Sequence, residues 1–318
     1  YLYGRGAADM KSGLAALAIA LIEIKESGKL TQGTIKFMAT VGEEMEQSGS
    51  QQLFEKGYAD DLDALLIAEP SFPSLVYAHK GSMDFRIKSK GRASHSSLPF
   101  LGQNAIKPLL EFIQNINQEY EKITQSVKGE SLDFSNMINN LGSQLPNHIT
   151  KEKAQELIQG LVMTNSIVQG GTQVNSVPDF ATAEFNVRTI PEYNNNKVKA
   201  LFNEYIEQAN QNGASLTQEL YLDLEPVVTT GQNRLVELGF DIAKSHFSNE
   251  RDLIVTPTVA VTDASNLLKG KDENFPFLMF GPGNGPHQIN ECVEKANYLE
   301  FVEYYIEFIT SYLNEENE

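Results

Sequence analysis

Four places in this sequence carry side chains suited to holding a metal ion and moving a proton: Asp9, the pair Glu43-Glu44, Glu69 and His287. Asp9 lies in Gly4-Arg5-Gly6-Ala7-Ala8-Asp9-Met10-Lys11, just ahead of an apolar helical pattern. Its ordinary reading is a helix N-cap, but the flanking glycines allow the close backbone approach that a metal cluster uses. Glu43 and Glu44 follow a strand-like run that ends at Val41. Adjacent acids are common on solvated loops; here one carboxylate can hold a metal while its neighbour handles the proton of a metal-activated water. Glu69 closes the apolar run Ala64-Leu65-Leu66-Ile67-Ala68, so it is expected to be partly buried and to need a cation, either a metal or an ion-pair partner. His287 is displayed by the loop Gly281-Pro282-Gly283-Asn284-Gly285-Pro286, in a chain with only five histidines, though a loop histidine without special function would look the same. Together, carboxylates and one imidazole form a donor set suited to Zn²⁺, Co²⁺ or Mn²⁺.

Other hydrolytic and nucleotide chemistries find no support. The remaining histidines, His79, His95, His148 and His246, form no HExxH pair, there is no GxSxG elbow, and Cys292 lies in no cysteine-protease signature. Phosphate-binding GxxxxGK[ST] and GxGxxG loops are likewise missing from the sequence.

The elements that must position these residues alternate in type. Leu14, Leu17, Leu21 and Ile24 recur at helical spacing, with Gly28 as the stop. Ile35, Phe37, Ala39 and Val41 alternate with period two and predict a strand, and Ala64 to Ala68 reads as a buried strand of a largely parallel sheet. From about Gly81 the texture changes. Met83, Phe85 and Ile87 alternate, Ala105 to Ile116 has helical spacing, and strands are expected at Leu161–Gln169 and Ala181–Ile190. A helix over Asn195–Gln211 and a strand over Ser215–Leu220 complete a β-α-β-β-α-β order, the split βαβ arrangement of a ferredoxin-like unit. The stretch from Lys122 to Thr150 has no assignment. After Pro226 the α/β texture returns, with a strand at Phe275–Phe280 and a last helix bearing Leu299, Val302, Ile306, Ile309 and Leu313 on one face. The expected organisation is an α/β domain, 1–80 plus 227–318, interrupted by a second domain, 81–226.

Composition narrows the partners. The net charge is −17, from 42 acidic and 25 basic residues, which argues against nucleic acid or an anionic membrane surface. No apolar run approaches the roughly 20 residues of a membrane span. One cysteine excludes an intramolecular disulfide framework and suits a reducing, cytoplasmic setting, and Tyr1 to Gly6 shows no signal-peptide pattern, although a targeting signal upstream would not be visible.

The ordered set of segments resembles the M20 family of metallohydrolases, which contains succinyl-diaminopimelate desuccinylase, acetylornithine deacetylase, aminoacylase and carboxypeptidase G2. The anchors are the Gly4–Lys11 segment, Thr40-Val41-Gly42-Glu43-Glu44, Ala68-Glu69-Pro70-Ser71, and His287 followed by Asn290-Glu291. The resemblance is closest to the desuccinylase type and covers essentially the whole chain. It implies a zinc-exopeptidase-like catalytic domain with a mixed sheet, carrying an inserted ferredoxin-like lid and dimerisation domain. It also implies that Asp9 bridges two zinc ions, that Glu44, Glu69 and His287 complete the ligands, and that Glu43 is the general base. Gly91-Arg92-Ala93-Ser94-His95-Ser96-Ser97 resembles the lid motif whose histidine crosses a homodimer interface, so His95 would polarise the scissile carbonyl in the partner's site. Asn175 and Arg188 resemble the substrate-carboxylate binders, and a guanidinium fork matches a carboxylate with two parallel hydrogen bonds. Thr262-Asp263-Ala264 resembles the loop beneath the substrate. Ordinary readings stand beside these: a strand-end residue for His95, an ion pair for Arg188 and a turn for Asn175. The reaction implied is attack of a zinc-activated water on the amide of an N-acyl amino acid or dipeptide, with Glu43 shuttling the proton.

The sequence departs from the family pattern at one point of consequence. A fifth ligand, a histidine followed two residues later by aspartate, would precede Tyr1, so the chain is expected to hold its metal incompletely and to turn over little substrate. Ser12 stands where the family often has glycine. The alternatives are a dipeptidase or carboxypeptidase of the same family and, in a different class, a non-catalytic binding or dimerisation protein.

Overall fold

The computed structural model describes residues 1–141, 145–247, 252–283 and 286–314. In chain order, β1 (Leu2–Tyr3), α1 (Lys11–Ser27) and α2 (Ser48–Glu55) precede β2 (Leu65–Pro70), β3 (Ser74–His79) and β4 (Gly81–Lys90). Then follow α3 (Ile106–Ser126), α4 (Ser135–Leu141), α5 (Lys151–Gln159), β5 (Val162–Gly170), β6 (Phe180–Thr189), α6 (Asn195–Gln211) and β7 (Leu216–Leu224). The chain ends with α7 (Arg234–Phe247), β8 (Ile254–Thr258), α8 (Ala264–Leu267), β9 (Phe277–Gly281), β10 (Cys292–Val293) and α9 (Lys295–Asn314).

Two four-stranded sheets carry the architecture. The first has the order β2-β9-β3-β8 and is mixed: β2 runs parallel to β9 and β3 parallel to β8, while β9 and β3 are antiparallel. Alternation along β9 explains its layers. Leu278 and Phe280 pack among α1, α7 and α9 on one face, and Phe277 and Met279 pack with Leu65, Val76 and Leu267 on the other. The second sheet has the order β5-β6-β4-β7, antiparallel throughout, which is the ferredoxin-like topology expected from the element order. Met83, Phe85 and Ile87 are fully buried under α3 and α6, where the Phe85 and Phe202 rings stack 4.3 Å apart. The opposite face of the same strands is polar, with Arg86 reaching Glu184 at 2.9 Å and Lys88 reaching Glu219 at 2.7 Å.

Three expectations need correction. Residues 33–40 form no strand; Phe37 is 46% and Val41 75% exposed, and no strand among the described residues supplies a ladder for their alternation. Leu299 is 61% exposed, because the buried stripe of α9 is the aromatic series Phe301, Tyr304, Tyr305 and Phe308. The local reading of Ala64 to Ala68 as part of a largely parallel sheet gives way to the mixed sheet that the resemblance implied, since β3 enters antiparallel to β9. The unassigned stretch from Lys122 to Thr150 ends α3 and supplies α4, and its Leu132 and Phe134 bury against Ala78; residues 142–144 lie outside the described residues.

Candidate active site

The chemistry-bearing residues come from five separate segments, and each is held by a specific contact. α1 begins at Lys11 with Met10 in the N-cap position and no side-chain cap, so the Asp9 carboxylate is not consumed by capping. Instead the Asp9 segment is tied to the far end of the chain. β1 pairs with β10, and the Glu291 carboxylate accepts hydrogen bonds from the backbone N–H groups of Ala8 and Asp9, each at 3.0 Å. Arg5 closes the other oxygen of Glu291 at 2.7 Å. Burial alone would raise the Glu291 carboxyl, yet these backbone donors and Arg5 hold it below the usual range.

Two glycines permit the convergence. A Cβ at Gly13 would sit 1.9 Å from the Ala68 carbonyl oxygen, so only glycine lets α1 pack this closely on β2 beside Glu69. Gly283, at φ +134°, passes where a Cβ would meet Ala8 at 2.7 Å and Pro70 at 3.0 Å. The Asp9, Glu69 and His287 segments therefore meet at one point. Asn284 and Gly285 of the histidine loop lie outside the described residues.

At that point Asp9, Glu44 and His287 offer ligand atoms all within 4.8 Å of one another. His287 Nε2 lies 3.1 Å from Asp9 Oδ2 and 2.8 Å from Glu44 Oε2. Glu69, buried at the end of β2, is within hydrogen-bonding range of Asp9, and its carboxyl is driven well above the ordinary range by burial and by the charges of Glu43 and Asp9. Glu43 is pushed up to about 7 by burial and by Asp263, Glu44 and Asp9, against the single hydrogen bond it accepts from Gln47 at 3.0 Å. Like charges packed this closely oppose ionisation unless a cation joins them. Oxygen-rich donors with one imidazole suit a divalent ion of the zinc type, so the residues present fit a metal.

Sequence reasoning missed the residues that hold this cluster. Gln47, fully buried in a left-handed conformation, orients Glu43, and Asn266 of α8 donates to Ser50 at 3.0 Å beneath the same turn. Asp263 accepts from Thr40 and faces Glu43, with its Oδ1 buried and unpartnered. Glu291 and Asp263 lie in segments the resemblance marks, but what each one holds was not readable there, because their partners lie more than two hundred residues away.

The other sequence candidates divide. Arg188 lines a cavity of about 320 Å³ together with Glu43, Glu44 and His287. Its guanidinium is held below its usual range by burial, with Asp84 opposing, and its Nη1 is buried without a partner. Thr262 is buried, donating to His79 Nε2 at 3.2 Å and accepting from the Ala264 N–H at 3.2 Å. The neighbouring Ala260 and Val261 reach the cavity. His95 and Asn175 sit together, joined by the Ser96 N–H to the Asn175 carbonyl, beyond the Lys90 end of β4. Arg188 pairs with Ser82 at the opposite end, so along β4 the two groups are separated by roughly 26 Å.

Comparison with known proteins places this arrangement. Residues 1–311 match the family described as peptidase family M20/M25/M40. The chain is 42% identical over 316 residues to a probable succinyl-diaminopimelate desuccinylase of Staphylococcus aureus strain MRSA252, covering 99% of this chain and 76% of that protein. A protein of the same name from Staphylococcus epidermidis strain ATCC 12228 is 41% identical over 314 residues, covering 98% and 76%. Among solved structures, an M20 family metallo-carboxypeptidase from Sulfolobus solfataricus superposes with a TM-score of 0.74 at 19% identity, covering 98% of this chain and 77% of that one. The chain belongs to peptidase family M20/M25/M40, a family of metal-dependent amide hydrolases.

Proposed function

We propose that the chain carries the site of a desuccinylase-like enzyme, cleaving the amide of an N-succinyl amino acid of the diaminopimelate type. The observation that carries this reading is the convergence of Asp9, Glu44 and His287, the last two lining a cavity that Arg188 also lines. The 42% identical relative of that name supports the acyl group. The metallo-carboxypeptidase neighbour, at 19% identity, supports the fold alone and does not favour the dipeptidase or carboxypeptidase alternative.

In this reading Asp9, Glu44 and His287 would hold a divalent ion of the zinc type, and Glu69, in contact with Asp9, would add a further carboxylate to the metal site. Bound divalent metal supplies positive charge that acidifies a water and polarises the substrate carbonyl. Glu43 takes the proton of the attacking water at its carboxylate and returns it to the leaving nitrogen. Burial and the neighbouring carboxylates raise the proton affinity of Glu43, the direction a proton-accepting group needs. Arg188, which lines the cavity, binds the substrate carboxylate, and the loop of Thr262 lies beneath. His95 and Asn175 are too far along the sheet to serve their own site, which supports a homodimer in which they act across the interface. The uncharged edge strand β5, exposed along most of its length, fits such pairing. No described helix is long and apolar enough to cross a membrane; a cytoplasmic setting rests on the single cysteine.

The test is amine release from N-succinyl-diaminopimelate, N-acetylornithine and a dipeptide panel, with zinc, cobalt or manganese added. Turnover is expected to rise with added metal, since the acidic cluster needs a cation to ionise fully. It should be fastest on the succinyl compound and fall on the order of 10²–10⁴-fold in Glu43→Gln. Equal inactivity on every substrate with metal present contradicts the reading.

A further inference from the structure

The face of β4 and β6 that looks into the cavity carries an acid and a base that do not neutralise each other. Asp84 lies opposite Asn186 and Ser82 opposite Arg188 in the antiparallel register, so Asp84 and Arg188 are diagonal neighbours, roughly 7–8 Å apart at Cα. Asn186 donates to Asp84 Oδ1 at 2.6 Å, and Arg188 keeps a buried Nη1 without a partner. The ion pairs of this sheet face are Arg86 with Glu184 and Glu219, and Lys88 with Glu219; neither Asp84 nor Arg188 enters them. Asp84 is thus oriented by a neutral amide at the cavity wall. Both Asp84 and Arg188 line the space that also holds Glu43, Glu44 and His287.

We infer that Asp84 is a specificity-determining residue that receives a cationic group of the substrate, an ammonium on the side chain of an N-acyl amino acid whose carboxylate is taken by Arg188. This rests on the amide-hydrolase reading of the same cavity. Charge pairing at a partly desolvated site discriminates well, because a neutral substrate leaves the half-buried carboxylate without a counter-charge. Asn186 is the positioning residue: its amide fixes which oxygen of Asp84 remains available.

The experiment is calorimetric binding of Nα-acetyl-L-lysine and Nα-acetyl-L-norleucine, which differ at the terminal ammonium, to the intact chain and its variants. The chain is expected to prefer the lysine compound by on the order of tenfold, the range of one charge-assisted hydrogen bond. Asp84→Asn should weaken the lysine compound alone and erase the preference, and Asp84→Glu should keep it. Arg188→Gln should weaken both compounds alike. Equal binding of the two by the unaltered chain, binding of neither, or an Asp84→Asn loss shared by both compounds overturns the assignment. Because the readout is binding, a charge preference without amine release on any substrate would sink the hydrolase reading alone. Amine release without an Asp84-dependent preference would sink this one alone.

Discussion

The core under the β4–β7 sheet and the acidic cluster at the end of β2 are built on opposite principles. Under the sheet, Phe85, Phe112, Phe185 and Phe202 are almost wholly buried in mutual contact, and every apolar side chain gains by being there. At the cluster, Asp9, Glu43, Glu44, Glu69 and Asp263 crowd together, and the ionisation of Glu43 and Glu69 is opposed by the crowd itself. The second region is held in place by contacts outside it: Glu291 on the Asp9 backbone, Gln47 on Glu43, and the close approach at Gly13. The contrast separates what folds the chain from what the fold is used for, since the cluster gains stability only when a cation joins it.

The largest expected effect sharpens the contrast from the apolar side. Phe202→Ala empties the centre of the aromatic stack and should cost about 3–5 kcal/mol of unfolding free energy in denaturant titration. Metal affinity of the folded fraction should be unchanged. A loss of metal affinity as large as the loss of stability would mean that the two regions are not independent.

A smaller effect comes from the seam between the two sheets. His79 is fully buried, bridges to Val227, and has its imidazole held down to about 4 by burial. Its Nδ1 faces the Lys80 carbonyl at 2.7 Å and its Nε2 faces the Thr262 hydroxyl, an arrangement that assigns the proton of the neutral ring to Nδ1. A folded pKa below the unfolded value of about 6.5 means that the unfolded chain binds the proton first. The stability contributed by the neutral ring is therefore complete above about 6.5 and lost as pH falls toward 4. The slope from this group is at most about 1.4 kcal/mol per pH unit. His79→Gln should flatten the melting temperature profile between pH 6.5 and 4; an unchanged slope would remove His79 as its source.

What the sequence made legible follows the same division. Asn195–Gln211 is helical over the expected span, and Met83, Phe85 and Ile87 are buried as their alternation requires, because local period and burial agree there. Ile35 to Val41 shows the same alternation and forms no strand, since a strand also needs a partner, which no local pattern encodes. At the site, Asp9, Glu44 and His287 were legible by residue type and by position at the ends of elements, and they are brought together. The contacts made by Glu291, Asp263 and Asp84 were not legible, because each acts through a neighbour remote in sequence or through the register of a sheet, and Gln47, four residues from Glu43, looks in sequence like an ordinary loop amide.

The central claim is that three side chains from remote segments make one metal site. Zinc titration by calorimetry, with bound metal counted after dialysis, tests it most directly. The account predicts tightly held zinc, weakened severely in His287→Ala, and a stabilisation of about 2.7 kcal/mol when free zinc stands at a hundred times its dissociation constant. No tightly held zinc, or zinc retained undiminished in His287→Ala, would contradict it.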